Sequence, residues 1–193
     1  MGKKILAGVI AAVLLAGCGF TIPTGYRPPE STTPATSVTT FEVAQRQPPV
    51  EITGTTLSGQ EFSTTELDGI VVVNAWASWC APCREEWPTF VEVESKYPQI
   101  NLLGLNQADD LSAAKEFVAD AGGTWAHLRD VDQLLALESG TISGNFLPGT
   151  IVLDKQHRVA AKFVGKITAP ELMQIIEQLM DENEKECVAG SFG

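Results

Sequence analysis

Histidine is nearly missing from this chain: among 193 residues only His127 and His157 occur, and neither has a second histidine or a cysteine at ligand spacing. A histidine-built metal centre is therefore not expected, and both side chains read as ordinary structural residues. Positive charge is also short, with 13 Lys and Arg against 24 Asp and Glu and a net charge of −11. A chain of that sign is repelled by phosphate backbones, which excludes nucleic acid as an expected partner. The acidic residues are scattered rather than blocked, the pattern of a solubilising surface. No apolar run reaches the roughly 20 residues of a membrane-spanning helix. Four cysteines make no disulfide framework, and no internal repeat is visible. The length suits one compact domain with a core of useful size plus extensions.

The longest apolar run is ILAGVIAAVLLA, twelve residues behind the basic start MGKK. Residues 1–17 thus read as a signal segment rather than part of the fold. The residues that follow, Leu15 to Cys18 (LAGC), resemble the lipobox of bacterial lipoproteins. That resemblance implies cleavage before Cys18, lipidation of its thiol, and a lipid-anchored protein facing the extracytoplasmic side of the cell membrane. Disulfides persist in that compartment. Residues 18–49 hold six of the eleven prolines and the run STTPATSVTT without apolar periodicity, the composition of a flexible tether. At about 5–6 Å × √n, such a tether reaches about 30 Å from the bilayer. The short TFEV inside it is an edge-strand candidate.

The folded domain is expected over 50–181. VEITGTTLSGQEFS reads as two short strands around a Ser-Gly turn, and GIVVVNAW as a fully buried strand. A helix is predicted from Cys80 to about Tyr97, then a buried strand at INLLGLN. LSAAKEFVADAGG is predicted as a helix closed by Gly122, and DVDQLLALE as a shorter one. GTIVLD and RVAAKFVG suggest an antiparallel pair turned at KQH. The last helix carries a capping box at Thr168 and Glu171 and an apolar stripe from Leu172 to Met180. Residues 182–193 show no pattern and read as a flexible tail holding Cys187. Strands alternating with helices, then a hairpin and a closing helix, give an α/β sheet covered on both faces.

The informative stretch is NAWASWCAPCREEWP, Asn74 to Pro88. Cys80 and Cys83 lie where a buried strand turns into a helix. That placement sets Cys80 at the helix N-terminus, where unpaired backbone N–H groups and the helix dipole favour a thiolate. Cys83, one turn inward, is shielded and positioned to attack a mixed disulfide formed by Cys80. Pro82 lacks an N–H that an early helical position leaves unpaired in any case. The spacing supplies an attacking and a resolving sulfur on one rigid element. A lone C-x-x-C also suits a metal or a permanent staple.

WCAPC behind a hydrophobic strand, with Pro88 five residues after Cys83, resembles the thioredoxin superfamily, and the whole stretch is most similar to its membrane-tethered TlpA/ResA/DsbE(CcmG) branch. The resemblance spans about Pro49 to Met180. It implies a three-layer α/β sandwich: a central mixed sheet with helices on both faces, an N-terminal strand extension and a helix-containing central insert. It implies a thiol–disulfide oxidoreductase whose redox-active group is the Cys80–Cys83 disulfide, with no organic cofactor and no metal. Protein thiols and disulfides are the implied substrates, and a separate membrane redox protein resets the dithiol. Pro148 in NFLPGTIVLD matches the cis-proline loop that, with Leu147, grips substrate. Here Gly149 stands where the family usually has Thr. Glu86 matches a glutamate that tunes the cysteines. Asn74 stands where thioredoxin carries a buried aspartate, and Asn cannot take a proton, which shifts that role to Glu86 or water. Trp79 is expected beside Cys80 on the docking surface, with Trp76 and Trp125 in packing roles.

Three further readings are weighed beside this one. Copper-delivery modules on the same fold set their cysteines farther apart and add a distal histidine, which this chain lacks, although soft thiolates still bind Cu(I) or zinc. The peroxidase pattern needs a Thr before Cys80. A permanent disulfide in a binding module is the third. Within the leading reading, electron direction is open: cytochrome c maturation and reduction on one side, oxidation of secreted proteins on the other. Ala81 and Pro82 offer no side-chain donor to a Cys80 thiolate, which leans toward a reductant.

Overall fold

The computed structural model describes residues 36–141 and 146–190, with side chains described through Asn183. The signal segment, Cys18 and most of the tether lie outside the described residues. The strands are β1 (Ser37–Thr40), β2 (Thr53–Thr55), β3 (Glu61–Ser63), β4 (Val71–Trp76), β5 (Asn101–Gln107), β6 (Ala126–Asp130), β7 (Gly149–Leu153) and β8 (Val159–Val164). The helices are α1 (Ala81–Lys96), α2 (Leu111–Ala121), α3 (Leu134–Glu138) and α4 (Ala169–Gly190). Six strands form one sheet in the order β1-β8-β7-β4-β5-β6, and β2 pairs with β3 as a separate hairpin. β4, β5 and β6 run parallel, while β7, β8 and β1 are antiparallel to their neighbours.

β4 sits between β7 and β5 and is buried on both faces, which is why VVVNAW reads as a continuous apolar run with one polar interruption. Its residues alternate. Val71, Val73 and Ala75 join Leu103, Leu105, Leu128 and Ile151 in a core that includes Ile52 and Ala136, so the hairpin segment and α3 cover that face. Val72 points the other way, into the core under α1 and α4, with Phe90, Val93, Leu172 and Ile176. The α4 stripe Leu172, Ile175, Ile176 and Leu179 is buried as its spacing requires. Truncating Leu172 to Ala at such a site costs about 2–5 kcal/mol. Glu171 accepts the Thr168 N–H at 2.9 Å, closing the start of α4.

Three expectations need correction. The folded domain does not begin at residue 50: β1 lies inside the supposed tether and pairs with β8 from Ser37↔Val164 to Thr40↔Ala161. Arg46 holds this segment down, its guanidinium on Asp154 at 3.0 Å and on Glu182 at 2.8 Å. The strand is SVTT rather than TFEV, and all four residues are exposed, so apolar periodicity had nothing to report. Second, α4 runs on to Gly190 instead of ending at Asp181, and Cys187 lies within it. ENEKE consists mostly of good helix formers without an apolar face, which sustains a helix but leaves no stripe to read. Third, β6 was not anticipated. AHLRD alternates weakly and carries Leu128 as its one large aliphatic residue, yet it is held by β5 along its whole length.

Candidate active site

β4 ends at Trp76, and the chain turns through Ala77–Trp79 into α1 with Cys80 as the N-cap. That turn is fixed by side chains. Asp109, just beyond β5, accepts the Ser78 N–H at 2.6 Å and its hydroxyl at 2.7 Å. Asn106 donates to the same carboxylate at 2.9 Å. Arg84 donates to the Ser78 carbonyl at 3.2 Å while its guanidinium lies 4.6 Å over the Phe117 ring. The sulfur of Cys80 therefore sits on a braced turn at the mouth of a helix.

Cys80 and Cys83 form a disulfide, with Cα atoms 5.3 Å apart. The backbone N–H of Cys83 donates to the Cys80 sulfur at 3.3 Å, the capping geometry that stabilises negative charge there when the bond is reduced. Both residues are nearly buried, Cys80 keeping 4% of its surface and Cys83 1%. The outer and inner positions expected from the sequence thus differ by a narrow margin. Pro82 occupies the first turn of α1, and Pro88 lies inside the helix.

Glu86 follows Cys83 by three residues, so it shares that face of α1. It is fully enclosed rather than solvated. Oε1 accepts from Asn74 Nδ2 at 2.9 Å, and Oε2 accepts the Ile167 N–H at 2.9 Å. Burial pushes the Glu86 carboxyl up to about 8, against the opposing pull of its two hydrogen bonds and of Lys166. Asn74 also donates to Thr150 Oγ1 at 3.1 Å and to the Gly149 carbonyl at 3.4 Å. Asn74 therefore ties α1 to the strand that follows the proline loop. The Leu147–Pro148 bond is cis, and the Pro148 carbonyl accepts the Gly165 N–H at 3.0 Å. Leu147 packs against the cluster that contains both cysteines. Asn74, Cys80, Cys83, Glu86, Leu147 and Pro148, picked from the sequence, are thus gathered at one end of the sheet.

Trp79 lies at that end with its ring exposed and its Nε1 on the Ala108 carbonyl at 3.3 Å. Trp76 and Trp87 are interior, and both pack around His127 with ring centroids 5.3 and 5.5 Å away. His127 is buried, neither ring nitrogen has a hydrogen-bond partner among the described residues, and burial pushes its imidazole down to about 4. His157 is a turn residue with positive φ between β7 and β8. Among the described residues no three His, Cys, Asp or Glu side chains gather as a metal site. Sequence reasoning missed Thr150 and Asp109. Thr150 had a signal: an Asn inside an otherwise apolar buried strand requires polar partners on its neighbours. Asp109 had none, because its role depends on how the ends of β4 and β5 meet.

The chain matches the model of the AhpC/TSA family over residues 43–162, which is more than half its length. Thiol:disulfide interchange protein HelX of Rhodobacter capsulatus is 34% identical over 122 residues, covering 62% of this chain and 66% of HelX. Thiol-disulfide oxidoreductase ResA of Bacillus cereus is 25% identical over 186 residues, covering 92% of this chain and 97% of ResA. Among solved structures, a DsbF homologue from Corynebacterium diphtheriae superposes with a TM-score of 0.69 at 34% identity, covering 79% of this chain and 97% of that one.

Proposed function

Because this chain belongs to the AhpC/TSA family, and is a thiol–disulfide oxidoreductase of the DsbE/ResA type, we propose that it works as a lipid-anchored reductant of protein disulfides on the extracytoplasmic face of the cell membrane. The observation that carries the direction is the poverty of donors around Cys80. Among the described residues the Cys83 N–H is the hydrogen bond its sulfur receives, and Ala81 and Pro82 add no side-chain donor. A weakly stabilised thiolate gives a dithiol that yields its electrons readily.

In the proposed cycle the Cys80 thiolate attacks one sulfur of a substrate disulfide. A mixed disulfide forms and the first substrate thiolate leaves. Cys83 then loses its proton and attacks the Cys80 sulfur, which expels the second substrate thiolate. The substrate gains two electrons and the protein ends as the Cys80–Cys83 disulfide. Glu86 is the proposed proton store: with its carboxyl at about 8, close to a thiol's ordinary 8.5, it exchanges a proton with Cys83 at small cost. Leu147 and Pro148 present the loop against which the substrate chain lies, and no cofactor or metal takes part. A separate membrane protein resets the dithiol. Reduction of the cysteines of a c-type cytochrome precursor is the use suggested by the resemblance to the DsbE branch.

Equilibration with a glutathione redox series tests the direction. A potential near thioredoxin's roughly −270 mV is expected, whereas one above about −180 mV makes the protein an oxidant of secreted proteins. The anchor rests on LAGC at Leu15 to Cys18. Cys18→Ser should release the protein from the membrane fraction, since acyl chains hold at about 0.8 kcal/mol per buried CH₂. Unchanged fractionation removes the lipid.

A further inference from the structure

Seven large apolar side chains stand exposed among the described residues, and five of them lie at the end of the sheet that carries the dithiol. They are Trp79, Val131, Leu134, Leu137 and Phe146, each with between 48% and 70% of its surface open. Trp79 precedes Cys80, and Phe146 stands two residues before Pro148. Val131 follows the last residue of β6, while Leu134 and Leu137 share the outer face of α3. The inner residues of α3, Leu135 and Ala136, belong to the core that also packs Leu147.

Hydrogen bonds fix α3 relative to the dithiol. Trp79 Nε1 donates to the Ala108 carbonyl at 3.3 Å, and the Ala108 N–H donates to the Asp130 carbonyl at 3.2 Å. The Asp130 carboxylate then accepts the N–H groups of Leu135 at 3.0 Å and Ala136 at 2.8 Å. The α3 face that carries Leu134 and Leu137 is therefore held at the same end of the sheet as Cys80. Scattered exposed leucines are ordinary, but a set gathered beside a reactive group marks an interaction site.

Two observations decide the occupant. Cys80 and Cys83 keep only 4% and 1% of their surface, so a protein that presents its disulfide to them lays the flanking chain against this end of the sheet. The exposed charges at this end are acidic around α3, Asp132 and Glu138 against Arg129, with Asp110 and Arg84 nearer Trp79, on a chain of net charge −11. We propose that Val131, Leu134 and Leu137 form a docking site for an extended segment of the protein substrate. It takes an apolar side chain a few residues from the reacting cysteine, with a lysine or arginine beside it. β6 lies two strand spacings from β4, about 10 Å, which an extended chain spans in about three residues. This inference rests on the oxidoreductase reading and adds the substrate's chemistry to it.

The test compares two probes with the full chain in its reduced form. One is a twelve-residue peptide bearing a glutathione mixed disulfide on its cysteine, with Leu four residues away and Lys next to that Leu. The other is oxidised glutathione, which uses the same dithiol but brings no extended chain to α3. The double variant Leu134→Asp with Leu137→Asp should lower kcat/KM for the peptide at least about tenfold and leave oxidised glutathione within about twofold. A peptide with that Leu replaced by Ser should lose as much on the unaltered protein and little further on the variant, the coupling a shared contact produces. Equal peptide kinetics in variant and parent overturn the proposal, as does a parallel fall on both probes. A dimer of the parent protein that the variant dissolves also overturns it, making the face an interface between copies. Flotation of the unlipidated parent with phosphatidylglycerol vesicles, abolished by the variant, makes it a membrane contact and overturns it too. A parent protein inert on both probes defeats the oxidoreductase reading itself, an outcome visible before any variant is made.

Discussion

The two strands that flank β4 give the dithiol unlike surroundings. On the β7 side Asn74 links Glu86 to Thr150 and Gly149, and every polar atom it reaches is hydrogen-bonded. On the β5 side, two residues further along the same strand face, Trp76 packs with Trp87, Phe117 and His127, and among the described residues its own Nε1 and both nitrogens of His127 have no partner. Each side buries one ionisable group that is mainly neutral at pH 7, Glu86 pushed up to about 8 and His127 pushed down to about 4. Burial is the leading cause of both, yet only Glu86 has hydrogen-bond partners at hand. A buried group with partners can hold charge for part of a cycle. One without partners only fills space. The proposed proton store therefore lies on the β7 side, and the aromatic wall packs behind the helix.

Loss of a sulfur should have the largest effect. Cys83→Ala should abolish turnover and leave Cys80 in mixed disulfides with substrates, seen as thiol-sensitive adducts on non-reducing gels. Adducts in Cys80→Ala and none in Cys83→Ala would exchange the two roles.

Next in size is the pH dependence on the β7 side. Glu86 has its folded value raised from 4.5 to about 8, so its contribution to stability is complete below 4.5 and is lost as pH rises toward 8. The whole loss is about 5 kcal/mol at about 1.36 kcal/mol per unit. Glu86→Gln should remove that alkaline decline from urea midpoints of the oxidised protein. On the β5 side the sign reverses. His127 has its folded value lowered from 6.5 to about 4, so the unfolded chain takes up the proton first. Stability then falls as pH drops from 6.5 toward 4, by about 3 kcal/mol. His127→Phe should flatten that acid limb and leave the alkaline one in place.

The smallest effect tests the packing of the wall. A Cβ on Gly104 would lie 2.1 Å from His127 Nδ1 and 2.7 Å from Trp76 Nε1. Gly104→Ala should therefore cost about 1–3 kcal/mol through overpacking. It should do so without moving the alkaline limb that belongs to Glu86.

The two sides also differ in how far the sequence announced them. The cysteines could be read because they sit where a buried strand turns into a helix, while Asn74, Glu86 and the proline loop came from the resemblance to the thioredoxin superfamily. Buried strands and the α4 stripe were legible for the same local reason, since burial imposes period. The wall was not. His127 reads as an isolated residue because β6 is short, and because the rings of Trp76 on β4, Trp87 on α1 and Trp125 just before β6 enclose it only once the chain has folded. β1 escaped notice because four exposed residues carry no apolar pattern, and its place comes from β8 and from Arg46.

In the proposed cycle Glu86, and not His127, exchanges the proton that the inner sulfur needs. The rate of thiol–disulfide exchange against pH tests it directly in the parent protein, Glu86→Gln and His127→Phe. The parent should show an inflection near 8 that His127→Phe keeps and Glu86→Gln loses, with the remaining dependence set by Cys80. An inflection that survives Glu86→Gln, or that disappears in His127→Phe, would contradict the assignment.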